Sequence, residues 1–206
     1  MSTMLTLEAL QLDALREVAS IGAGHAATAL SQMTNHKIMI NVPRITIAIP
    51  DDIAAQVDPR EEPVAGVLMH MLGDLTGRTV LIFPRGTALR LAALMLQCPT
   101  KASAVFGELE QSAIKEAGNI LSGAYMNALS DFMGMMLIPS PPALAVDMSA
   151  AVVSTACLQS GAGRDCIFAV ETQFSLEEID ERLRGFFLLL PDPASLQAIL
   201  RAIGVA

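Results

Sequence analysis

Apolar residues recur every three or four positions from about Thr6 to Met33, and again from Glu108 to Met133. That spacing marks one buried face of a helix. At 100° per residue, Leu12, Leu15, Ala19, Gly22, Ala26, Leu30 and Met33 share one side of the first helix, while Asp13, Glu17 and Ser20 share the other. The second helix turns Ile114, Gly118, Leu121, Tyr125, Leu129 and Phe132 inward and Ser112, Glu116 and Asn119 outward. After the first helix, alternation through Lys37 to Ile49 predicts a strand ending in a Pro-Asp-Asp turn. Val64 to Asp74 and Arg78 to Phe83 read as further strands, and Thr87 to Gln97 as a short helix. The second half predicts strands within Leu144 to Leu158, Cys166 to Phe174 and Gly185 to Leu190, then a helix from Ala194 to Ile203.

The two halves match. Leu12 to Met33 aligns without a gap on Gln111 to Phe132 at an offset of 99, with Glu17, Ile21, Gly24, Ala29, Leu30 and Ser31 recurring as Glu116, Ile120, Gly123, Ala128, Leu129 and Ser130. Pro43 recurs as Pro142 at the same offset. The run from Val80 matches the run from Phe187 at an offset of 107, so the second copy has gained about eight residues in between. A tandem duplication of about 100 residues per copy follows, with repeats of about 1–104 and 105–206 forming one domain. Strands outnumber helices and often follow one another directly. The expected fold is therefore α/β of the α+β type: a largely antiparallel central sheet, shared by two pseudo-twofold copies and packed with helices.

Composition narrows the function. At 206 residues and 52% hydrophobic content the chain is too apolar for disorder. A net charge of −8 with no Trp and one Tyr offers neither a cationic footprint nor a stacking platform for nucleic acid. The longest stretch without Asp, Glu, Lys or Arg, Val18 to His36, contains two His, Thr, Gln and Asn, so no membrane span is expected. The first residues lack the basic and unbroken apolar regions of a secretory signal, and a cytoplasmic location is expected. Cys98, Cys157 and Cys166 fit reduced, buried thiols better than disulfides or zinc ligands. His25, His36 and His70 show no ligand spacing. Gly22-Ala-Gly24-His-Ala-Ala27 imitates a dinucleotide loop but lies inside a helical pattern, where no strand precedes it.

One outward pair of polar residues on a helix is ordinarily a solvated face. Here the arrangement repeats. Ser112-x3-Glu116-x2-Asn119-x22-Pro142 fixes four residue types at fixed spacing, a pattern that average composition produces at about one starting position in 10^5. The first copy keeps Asp13-x3-Glu17 and Pro43, with Ser20 where Asn would stand. This pattern resembles the signature of the CheC, CheX and FliY group of chemotaxis response-regulator phosphatases, (Asp/Ser)-x3-Glu-x2-Asn-x22-Pro. The resemblance spans nearly the whole chain, duplication included, and is nearest to CheC in length.

The resemblance implies a protein phosphatase acting on the aspartyl phosphate of a CheY-like receiver. Phosphoryl transfer is mostly positioning and charge stabilisation. In this reading Asn119 aligns the attacking water, and Glu116, about 4.5 Å away along the helix axis, docks on the receiver's phosphate-contacting Lys. Asp13 and Ser112 support the motif, and Pro43 and Pro142 set the entry to a strand. Glu17 and Ser20 form a degenerate second site, because a serine hydroxyl is shorter than a carboxamide and rotates. No cofactor of its own is implied, and Mg2+ belongs to the receiver's carboxylates. The same family relations leave a second reading open: a non-catalytic scaffold like the middle domain of the flagellar switch protein FliM, or an adaptor for the deamidase CheD.

Overall fold

The structure, a computed structural model, describes residues 9–41, 44–57, 62–98, 106–160, 167–176, 181–202 and 204. The first half contains α1 (Ala9–Thr34), β1 (Ile38–Ile40), β2 (Arg44–Ala48), α2 (Pro50–Val57), β3 (Pro63–Gly73), β4 (Gly77–Pro84) and α3 (Arg85–Leu96). The second repeats it as α4 (Glu108–Met133), β5 (Leu137–Pro139), β6 (Ala143–Met148), α5 (Ser149–Ser160), β7 (Ile167–Leu176), β8 (Glu181–Pro191) and α6 (Pro193–Ala202). The expected boundary between repeats, near residue 104, lies outside the described residues, as do Pro43 and Cys166.

All eight strands form one sheet in the order β1-β7-β8-β4-β3-β5, with β2 also pairing β7 and β6 also pairing β3. Every described pairing is antiparallel. The order is unchanged when each strand is exchanged for its counterpart in the other half, which is the signature of a pseudo-twofold. The register locates the axis. Val80 pairs with Leu188 and Leu81 with Phe187, whereas the sequence repeat equates Val80 with Phe187 and Leu81 with Leu188. Each residue thus faces the counterpart of its neighbour, and the axis passes between the two pairs. The halves are also interlaced: the edge strands of each pair with a strand of the other, so each half completes its partner's sheet edge.

Helices cover both faces of the sheet. Leu81, Phe83, Phe187 and Leu189 point into the core beneath α1, α3 and α4. The alternate residues Val80, Ile82, Phe186, Leu188 and Leu190 point into a second core beneath α2 and α5. Burial on both sides is why β4 carries the unbroken apolar run Val80–Phe83 and β8 the run Phe186–Leu190.

That second helical layer corrects the sequence reading. The Pro-Asp-Asp segment is the start of α2, not a turn: Pro50 opens the helix, and Asp51 and Asp52 lie in its first turn, where carboxylates favour the dipole. Only β6 of the strand expected within Leu144 to Leu158 is extended; the remainder is α5. Its buried residues Val152, Val153, Ala156 and Cys157 follow a helical period that the β-branched composition had obscured. The single strand expected over Lys37 to Ile49 is two strands. Two residues placed on inner helix faces, Met33 and Phe132, are 42% and 44% exposed. Cys98 is exposed, against expectation, because it lies just past the end of α3, whereas Cys157 is buried and its thiol pKa is pushed up by desolvation.

Candidate active site

The long helix α4 starts from a fixed point. The Gly107 amide donates to the Glu110 carboxylate at 2.7 Å, and the Gln111 amide to the Gly107 carbonyl at 2.9 Å, which together fix where the helix begins. Ala113, Ile114, Ala117, Gly118 and Leu121 then bury one face. At Gly118 the helix lies so close to β3 that an added β-carbon would stand 2.6 Å from the Val67 side chain. This close seat makes tolerable a glycine that otherwise costs about 1 kcal/mol against Ala in a helix interior. It also leaves little slack under the next residue, Asn119.

On the opposite face Ser112 and Glu116 are exposed and Asn119 is half-buried. Neither the Glu116 carboxylate nor the Asn119 carboxamide has a hydrogen bond or ion pair among the described residues. A carboxylate and an amide, less than one turn apart, are thus presented outward on a helix clamped from below. Such a pair can meet a cation and orient a polar molecule such as water. Pro142 is half-buried in the link between β5 and β6, on the sheet edge and off the helix.

The first copy differs in its local bonding. Asp13 pairs with Arg16 at 3.0 Å, and the Ser20 hydroxyl donates to the Arg16 carbonyl at 2.7 Å. The exposed ion pair adds little stability. The serine bond matters more, because the hydroxyl that would face a ligand is turned onto its own helix. Glu17 remains exposed.

The structure divides the helix glycines into two kinds. Gly22 and Gly118 sit against Tyr125 and Val67, whereas a β-carbon built on Gly24 or Gly123 has no described atom within 4 Å beyond its chain neighbours and its own helix backbone. The recurrence of the second pair at the offset of 99 was the available signal.

Among the described residues no group of three or more His, Cys, Asp or Glu is placed to hold a metal ion, and no helix is long and apolar enough to cross a membrane.

The geometry defines an internally duplicated α/β protein that carries a polar triplet on the outer face of each long helix. The chain belongs to the CheC-like family. The family model matches residues 10–47 and 109–146, two windows separated by the same offset of 99, each holding one triplet. The CheY-P phosphatase CheC of Bacillus subtilis (strain 168) is 33% identical over 198 residues, 95% of both chains. The crystal structure of Thermotoga maritima FliY superposes with a TM-score of 0.79 at 19% identity, covering 97% of this chain and 98% of that one. A chain of the CheX-CheY-BeF3-Mg2+ complex of Borrelia burgdorferi superposes at 0.50 and 17% identity, covering 87% of this chain and 97% of that one. These two likenesses are likenesses of fold.

Proposed function

We propose that this protein is a phosphatase that hydrolyses the aspartyl phosphate of a CheY-like response regulator, with Glu116 and Asn119 as its working pair. The observation that carries the reading is their joint presentation, outward and without partners among the described residues, on a helix seated firmly on the sheet. The extended similarity to a protein named CheY-P phosphatase CheC supports it, and the existence of a CheX-CheY complex on this fold supports a receiver domain as the partner.

The chemistry asked of this chain is modest. Water attacks phosphorus, the bond to the aspartyl oxygen breaks, and the products are inorganic phosphate and the free aspartate. An acyl phosphate is already activated, so a fixed amide that aligns the water in line with the breaking bond supplies most of what is needed. Glu116, three residues N-terminal to the amide, pairs with the receiver's phosphate-contacting Lys and sets the register. Mg2+ would be held by the receiver's own carboxylates, where it would supply charge neutralisation. The first half contributes Glu17 as a docking carboxylate, while Ser20, bonded to its own backbone, contributes little turnover. A scaffold role thus attaches to the first half and catalysis to the second.

The test is phosphate release from a purified, phosphorylated receiver of the same genome. Asn119→Ala should slow it on the order of 100-fold, the cost of losing a positioning contact. A parent-like rate would overturn the proposal.

A further inference from the structure

A glycine inside a helix costs about 1 kcal/mol against Ala, a cost that a positive φ, a close neighbour within the protein or a close neighbour from outside can offset. Gly123 stands ten residues from the end of the 26-residue α4, and its φ is not positive. Apart from its chain neighbours and the adjoining backbone of its own helix, no described atom lies within 4 Å of the β-carbon it lacks. The first two circumstances are therefore absent. Its counterpart Gly24, inside α1, shows the same open space and the same ordinary φ. The glycines that do touch the fold do not recur: Gly22 corresponds to Leu121, and Gly118 to Ala19.

The position of the gap is specific. At 100° per residue Gly123 falls between Glu116 and Asn119 in azimuth, one turn C-terminal to the amide. Side chains on a helix lean toward its N-terminus, so a residue covers the surface of the turn that precedes it. Any side chain at position 123 would lean over Asn119. Gly24 leaves the same clearing over Ser20.

We infer that Gly123 is a positioning residue: its missing side chain clears the surface beside Asn119, so that a receiver domain settles with its phosphorylated loop in direct contact with the amide. This rests on the reading of Glu116 and Asn119 as the working pair. The clearing matters because the amide is only half-exposed and short. A partner held off by the thickness of one side chain leaves the amide beyond hydrogen-bonding distance of the water at phosphorus.

Gly123→Ala and Gly123→Leu, each in the full chain, separate this role from a structural one. Open space and ordinary φ predict that neither variant harms folding, and that Ala raises the thermal midpoint by about 2–4 °C. Release of phosphate from the phosphorylated receiver should nevertheless fall, more for Leu than for Ala, with kcat/KM for Leu down on the order of 100-fold. Gly86→Ala, at another open glycine in α3, should leave the rate unchanged. Stability rising while activity falls is the signature of a surface that must admit a partner. A parent-like rate for Gly123→Leu, alongside an inactive Asn119→Ala, would overturn the clearance role alone. A lowered midpoint for Gly123→Ala would overturn it too, by showing that position 123 is packed from within. A parent-like rate for Asn119→Ala would remove the catalytic reading and this inference with it.

Discussion

Gly22 of α1 lies against Tyr125 of α4 so closely that a β-carbon on it would stand 2.8 Å from the ring Cδ1 and 3.0 Å from the Tyr125 Cα. The ring is not free to yield. Its hydroxyl bonds the Thr172 hydroxyl at 2.8 Å, and it stacks on Phe187 at 4.7 Å between centroids. Burial, partly offset by that hydrogen bond, pushes its pKa up to about 12, so it stays neutral across the physiological range. This contact fixes the distance between the two helices that carry the polar triplets.

Gly22→Ala should therefore destabilise the protein, in contrast to Gly123→Ala. Overpacking against a fixed ring costs about 1–3 kcal/mol, and each kcal/mol lowers the thermal midpoint of a chain this size by roughly 2–4 °C. Thermal or urea unfolding of the two alanine variants side by side checks the opposition. A midpoint at or above the parent's for Gly22→Ala would mean that the helices stand farther apart than described.

Ser20 offers a gain-of-function test, since its hydroxyl is committed to the Arg16 carbonyl at 2.7 Å and Glu17 beside it is still exposed. In an Asn119→Ala background, Ser20→Asn should bring back receiver dephosphorylation that the single variant lacks. In the parent it should raise turnover per chain by about twofold at most, the contribution of one added positioning amide. If nothing returns in the double variant, the first helix face has lost its docking surface along with its amide.

Asp192 ties the two central strands together at one end. It precedes α6, accepts the Ser195 amide at 2.8 Å as a helix cap, and takes a second hydrogen bond from the Thr76 hydroxyl. The Thr76 bond, then the Ser195 amide, hold its carboxyl below the usual carboxylate range. A lowered folded pKa stabilises above the ordinary Asp value of 3.8 and is lost as pH falls through the folded value. Asp192→Ala should cost about 1 kcal/mol at pH 7, and the gap to the parent should narrow as pH drops below about 4. Urea midpoints at pH 7 and pH 3 measure both; a gap independent of pH would show that the charge plays no part.

Much of this arrangement was legible in the residue order. The long helices follow from apolar spacing within each segment, and the duplication from identities at a constant offset. The outward triplets follow from turning each residue by 100°. These are local or self-referential signals, carried by neighbouring residues or by comparing the chain with itself.

Other features depended on contacts between residues far apart in the chain. That Val80 faces Leu188, and that β1 pairs across to β7, could not be read from either strand alone, because strand pairing depends on both partners. The helical state of α5 is set by the sheet face it covers, which outweighed the strand preference of its valines. Which glycines are filled in from outside their helix, and which stay open, is a matter of distances across the packed layers. Chemistry could be placed on a helix face by counting along the chain; how near another molecule can come to it depends on what the folded chain puts there and what it leaves clear.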